Sequence, residues 1–174
     1  PKIFSNMNLQ NVVFTGSLET AKIIQRQLHE RDDLINLIAE TGGLNCLIAD
    51  SSALTEHIVE DVINSAFNSA GQRCSACRIL CIEENVYKKT LSMLKGAAET
   101  LFVSSPENIS TDVGPVIDNS AKEKIINHIN KFIKNNHQIS VNNEGNFINP
   151  TIIEINNINE VNEEIFGPVL HVLS

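Results

Sequence analysis

The stretch ALTEHIVEDVINSAFNSAGQRCSACRILCI, residues 53–82, decides the fold. Its first half puts Leu54, Ile58, Val59, Val62, Ile63 and Ala66 at helical spacing, which makes one broad apolar face. Its end, RILCI, is a continuous apolar run of strand length. Between them lies SAGQRCS, a loop whose Gly71 permits a sharp backbone turn. A helix delivered through a loop into a fully apolar strand is the building unit of a parallel sheet covered on both faces. The same stretch poses the chemical question, because Cys74, Cys77 and Cys81 crowd together in it while Cys46 stands apart.

The pattern repeats on either side. NVVFTGS (11–17) reads as a strand ending in a Gly-Ser turn, and LETAKIIQRQLHE (18–30) as a helix burying Ala21, Ile24 and Leu28. LINLIAETGG (34–43) reads as a second buried strand stopped by two glycines. NCLIAD (45–50) is a third strand, after which Ser51 or Ser52 is placed to cap the next helix. Downstream, residues 83–101 form an amphipathic helix with Leu91, Leu94, Ala98 and Leu101 inward. Ser120 and Glu123 have capping-box spacing for a helix carrying Ile125, Ile129, Phe132 and Ile133. QISV, FINPTIIEI and VLHVLS are short strands, with NEVNEEIFGP as the last loop. Gly114-Pro115 and Asn149-Pro150 are turn punctuation, and the five histidines read as surface residues.

The totals set limits. A chain of 174 residues with 42% hydrophobic content builds a packed core, and its net charge of −8 argues against a nucleic-acid-binding face. No apolar run approaches the roughly 20 residues that span a bilayer. PKIFSNMNLQ at the start lacks the pattern of a signal peptide, and the chain reads as a segment excised from something longer. The clustered cysteines do not form a spread disulfide framework, so reduced thiols and a cytoplasmic setting are expected.

The cysteines admit different chemistries. Cys74-x2-Cys77-x3-Cys81 is half of a zinc pattern whose other half is absent, so no metal is expected. Cys46, Cys77 and Cys81 read as small buried hydrophobes. Cys74 has two readings, a structural cysteine or a nucleophile at a loop tip whose thiolate Arg73 would favour. Glu40 also has two, a solvated strand-end charge or a general base at the carboxyl-end rim where open α/β sheets bind ligands.

With those residues in place, FTGS, ETGG, GQRC and EIFGPV, in that order, resemble the NAD(P)-dependent aldehyde dehydrogenase superfamily. The longer runs IAETGGLN, ADSSALTEHIVEDVINSAFNSAGQRCSACRILC and STDVGPVID resemble its L-glutamate-γ-semialdehyde (Δ1-pyrroline-5-carboxylate) dehydrogenase branch, as found in bacterial proline utilization A proteins. The resemblance implies a mostly parallel three-layer αβα catalytic domain over residues 44–174, truncated at its end. It further implies the tail of a Rossmann-like NAD-binding domain over residues 1–43. It implies Cys74 as nucleophile and Glu40 as the base that activates water. Gly16 and Ser17 would lie at the NAD pyrophosphate, while Glu164 and Phe166 would meet the nicotinamide ribose. Ser75 would touch the aldehyde substrate. FAD is implied only if the longer polypeptide also carries a proline dehydrogenase domain. That polypeptide is expected to be a homo-oligomer, cytoplasmic or peripheral at the inner membrane. The family's other dinucleotide-binding units and its substrate-anchoring loop would fall outside these 174 residues, so the segment alone is expected to be nearly inactive.

Overall fold

The computed structural model describes Phe4, residues 8–132, 136–138 and 145–174. The chain divides into two compact units, Pro1–Gly43 and Leu44–Ser174.

The first unit pairs β1 (Asn11–Thr15) in parallel with β2 (Asn36–Glu40), joined by α1 (Leu18–His29). Ala21, Ile24 and Leu28 are the buried residues of α1, as its period requires. Ser17 caps α1 by accepting a hydrogen bond from the Thr20 amide. The second strand is not buried as expected. Ile38 is 56% exposed and Leu34 is wholly exposed. Two strands and one helix offer a cover on one side only, so outward apolar residues find none within the unit.

The second unit is a five-stranded sheet in the order β3-β4-β7-β6-β5. Its strands are β3 (Cys46–Ala49), β4 (Ile79–Ile82), β5 (Asn136–Gln138), β6 (Thr151–Glu154) and β7 (Val169–Leu173). All pairs are parallel except β5 with β6. Period-two alternation sends Leu80, Ile82, Ile152, Leu170 and Val172 into one core and Ile79, Ile153 and Val169 into the other. The first core packs against α2 (Thr55–Phe67) and α3 (Glu84–Glu99) through Ile58, Val59, Val62, Leu91 and Leu94. The second packs against α4 (Asn119–Lys131) through Ile125 and Ile129, and against Ile148 and Ile165 of the loops. Helices on both faces make the expected three layers.

Several local expectations are corrected. Neither Ser51 nor Ser52 caps α2. Ser52 is held in a turn by Asp50, which accepts from its amide and hydroxyl, and α2 starts after an exposed Leu54. Asp118, two residues before Ser120, takes the α4 cap by accepting from the Ala121 amide. Leu101 is only half-buried at the end of α3. Ile133 and most of QISV lie outside the described residues, β5 accounting for Asn136–Gln138.

Two histidines are core residues, not surface ones. His128 and His171 are 3% and 2% exposed, with their Nε2 atoms 2.8 Å apart. His171 Nδ1 lies 3.1 Å from the Arg78 carbonyl, which can only accept, so that nitrogen carries the proton. Its Nε2 then accepts from His128, and both rings are neutral. Burial accounts for this, depressing His128 and pushing His171 down to about 4.

Candidate active site

In the second unit the loops before the parallel strands converge on the sheet's amino-terminal rim. They are Asn45 ahead of β3, residues 71–78 ahead of β4, and residues 161–168 ahead of β7. The carboxyl-end rule places Glu40 and the Gly16-Ser17 turn in the first unit, but not the Cys74 loop in the second.

The Cys74 loop leaves α2 through a 3-10 turn, Asn68–Gly71, in which Ser69, Ala70 and Gly71 all have positive φ. Such backbone costs of order 1–3 kcal/mol at a non-glycine residue and persists only when surroundings enforce it. Gly71 is enforced twice. Its φ is +65°, and a Cβ there would stand 2.1 Å from the Gly167 carbonyl oxygen. Beyond it, Ala76 N–H bonds to Arg73 O at 3.1 Å, so Cys74 and Ser75 occupy the centre of a turn and both are exposed.

That turn is braced from four directions. Asn45 Nδ2 donates to Cys74 O at 2.6 Å and to Ala76 O at 3.0 Å. Gln72 donates to Pro115 O and accepts from the Ile117 amide, tying in the STDVGPVID loop. Arg73 Nη2 donates to Asn64 O at 2.8 Å. Its guanidinium thus anchors the loop to α2, a task the sequence had not assigned it. Arg78 Nη2 donates to Arg73 O at 3.2 Å.

The other cysteines separate sharply from Cys74. Cys77 is buried, bonds to Ile79 O at 3.3 Å, and is pushed up to about 11 by burial. Cys81 is half-buried and is also pushed up to about 11, first by desolvation and then by Cys46. Cys46 is exposed, contrary to expectation, because β3 is the edge strand of the described sheet. Its Sγ lies 3.5 Å from Cys81 Sγ across β3 and β4. All four thiols are free, and among the described residues no group of three His, Cys, Asp or Glu is placed to hold a metal.

Glu164 and Phe166 stand on the loop before β7. Glu164 is 19% exposed and pairs through Oε1 with Arg78 Nη2 at 3.2 Å. Phe166 is exposed, with its ring centroid 5.3 Å from the Arg78 guanidinium carbon. In the first unit, Glu40 is exposed at the end of β2, and its carbonyl accepts from Gly16 N at 3.1 Å. Gly16 and Ser17 lead into α1, whose amino end carries the positive side of the helix dipole and so favours an anion. Arg78, Asn45 and Gln72 escaped the sequence reading, since each works through contacts distant along the chain.

This architecture defines the class, and solved structures share it closely. A proline utilization A protein of Bradyrhizobium japonicum matches with a TM-score of 0.93 and 42% identity, covering 98% of this chain and 18% of that one. A 1-pyrroline-5-carboxylate dehydrogenase from Thermus with bound NAD matches with a TM-score of 0.85 and 29% identity, over 98% of this chain and 35% of that one. The chain belongs to the aldehyde dehydrogenase family, whose profile matches residues 1–174. Among curated relatives, the bifunctional protein PutA of Klebsiella aerogenes is 45% identical over 97% of this chain. A 1-pyrroline-5-carboxylate dehydrogenase of a Geobacillus strain is 35% identical over 91% of it. The chain spans 14% of the length of the PutA relative and 33% of the Geobacillus one. No described helix is long and apolar enough to cross a membrane.

Proposed function

We propose that these residues form part of an NAD-dependent dehydrogenase that oxidises L-glutamate-γ-semialdehyde to L-glutamate in proline catabolism. In this reading residues 1–43 are the end of the NAD-binding domain and residues 44–174 are most of the catalytic domain. The observation that carries it is the exposed Cys74 on a turn braced from four sides, within a chain similar throughout to enzymes of this chemistry.

The residues suit an NAD molecule. Gly16 and Ser17 would hold its pyrophosphate at the start of α1, and Glu164 and Phe166 its nicotinamide ribose. Bound there, NAD supplies the acceptor for the substrate's hydride. Cys74 attacks the aldehyde carbon as a thiolate, and its own amide supports the resulting oxyanion. Loss of hydride leaves a thioester on Cys74. Glu40 takes a proton from water, which hydrolyses the thioester and frees the carboxylic acid and the thiol. Ser75, beside the nucleophile, offers a hydroxyl to a polar substrate.

The longer polypeptide is proposed to be a cytoplasmic homo-oligomer. NADH formation by the full-length protein tests the substrate. Glutamate semialdehyde should be preferred over an unsubstituted aliphatic aldehyde by at least tenfold in kcat/KM. Equal rates would reassign the enzyme to another aldehyde.

A further inference from the structure

Resting on the dehydrogenase reading, we infer that Arg78 is a positioning residue that sets the nucleophile turn and the ribose-binding carboxylate in register with one another. The guanidinium sits between two loops that sequence places far apart. Nη1 donates to Gly167 O at 3.2 Å, and Nη2 donates both to Arg73 O and to Glu164 Oε1 at 3.2 Å. One planar group therefore fixes the residue before Cys74, the carboxylate of Glu164 and the backbone beside Phe166. Its own carbonyl accepts from His171 N and Nδ1, which ties it to β7.

Energetics argue that this arrangement serves more than stability. Arg78 is 1% exposed, and its Nε has no hydrogen-bond partner among the described residues. Removing a guanidinium from water costs several kcal/mol, and one carboxylate contact at 3.2 Å does not clearly repay it. An apolar side chain of similar volume would fill the space at no such cost. What it would lack is the rigid planar fork that reaches several oxygens in fixed directions.

The geometry at Glu164 fits a positioning task. Arg78 engages Oε1, while Oε2 makes no hydrogen bond among the described residues and remains available to ribose hydroxyls. Phe166, on the same loop, holds its exposed ring with the centroid 5.3 Å from the same guanidinium carbon. The backbones of the two loops touch at Gly71, where a Cβ would strike the Gly167 carbonyl oxygen. Movement of one loop is thereby felt by the other.

The test uses the full-length protein with Arg78→Met, Arg78→Lys, Glu164→Gln and the Arg78→Met/Glu164→Gln pair. Its readouts are NADH affinity by fluorescence titration, the rate of Cys74 alkylation by iodoacetamide without cofactor, and kcat and KM for NAD. Arg78→Met should weaken NADH binding about tenfold, and the double variant should bind no worse than Glu164→Gln alone. Arg78→Met should also change Cys74 alkylation at least threefold. Arg78→Lys, which keeps the charge without the fork, should recover more of the NADH affinity than of the alkylation rate. It also serves if the methionine variant fails to fold. Independent, multiplying effects of Arg78 and Glu164 on NADH affinity, or unchanged alkylation in both Arg78 variants, would overturn the inference. If the wild type bound NADH but did not oxidise the semialdehyde, the substrate reading would fail and the coupling would still be judged by these two readouts.

Discussion

The two units present their candidate residues on opposite kinds of rim, and they hold them very differently. In Pro1–Gly43, Gly16, Ser17 and Glu40 follow the carboxyl ends of β1 and β2, exposed and fixed mainly by one cap and one backbone hydrogen bond. In Leu44–Ser174, Cys74, Ser75, Glu164 and Phe166 precede the amino ends of β4 and β7, on loops locked by Asn45, Gln72, Arg73, Arg78 and the close approach of Gly71 to the Gly167 carbonyl. A rim at which strands begin receives loops arriving from elsewhere in the fold, so long-range polar bridges must set their shape. At a rim where a strand ends, the strand itself aims the residue. Substitutions in the second unit should therefore cost stability and function together, and those in the first should cost mainly function, apart from the helix cap at Ser17.

The sharpest break is expected from Gly71→Ala. Left-handed backbone costs an alanine about 1–2 kcal/mol, and relieving a contact with a carbonyl oxygen adds about 1–3 kcal/mol. Denaturant unfolding of the full-length protein should show a loss of about 2–5 kcal/mol, with Cys74 reactivity altered in parallel. A change below 0.5 kcal/mol would mean the loop is not held as described.

Acid should act next. His171 is neutral when folded and pushed down to about 4, against an ordinary value of 6.5. Between those values the unfolded chain binds the extra proton, so stability falls as pH drops through this window and is level above it. The expected loss is on the order of 3 kcal/mol, with His128 adding in the same direction. The groups that act electrostatically on the pair are Arg78, Lys131 and Glu163. His171→Asn, which can keep the hydrogen bond to the Arg78 carbonyl, should flatten the pH profile.

Asn45→Ala should cost about 1–2 kcal/mol through the carbonyls of Cys74 and Ala76 that it leaves unpaired. It should also slow the attack step, read as a lower kcat with KM for NAD little changed. Ser17→Ala, in the first unit, should cost about 1 kcal/mol as a lost cap, with a larger proportional rise in KM for NAD. Smallest in stability is Glu40→Gln, expected within about 0.5 kcal/mol of wild type. Its effect should fall on thioester hydrolysis instead, with a burst of NADH followed by slow turnover.

Much of this organisation was legible in the sequence because local periods are strong signals. The α1 face of Ala21, Ile24 and Leu28, and the strands NVVFT, CLIA and ILCI, follow from spacing alone. Caps were misread where a nearby aspartate competed, Asp50 drawing Ser52 into a turn and Asp118 displacing Ser120. His171 had a readable signal, since in VLHVL it sits at the centre of an otherwise apolar run. Its partner His128 falls three residues after Ile125, on the inward face of α4. Arg78 had none, because its carboxylate lies 86 residues away and only the sheet order brings them together. The assignments of Cys74 and Glu40 came from their motifs, which mark residue type and spacing but not what braces them.

The central claim is that Cys74, alone among the four thiols, carries the substrate. The direct measurement is peptide mass spectrometry of the full-length Glu40→Gln protein, quenched in acid after mixing with glutamate semialdehyde and NAD. A glutamyl thioester is expected on the peptide containing Cys74 and none on the peptides of Cys46, Cys77 or Cys81. If Cys74 and Cys77 share a peptide, fragmentation would resolve them. An adduct on another cysteine, or full NADH formation by a Cys74→Ala variant, would contradict it.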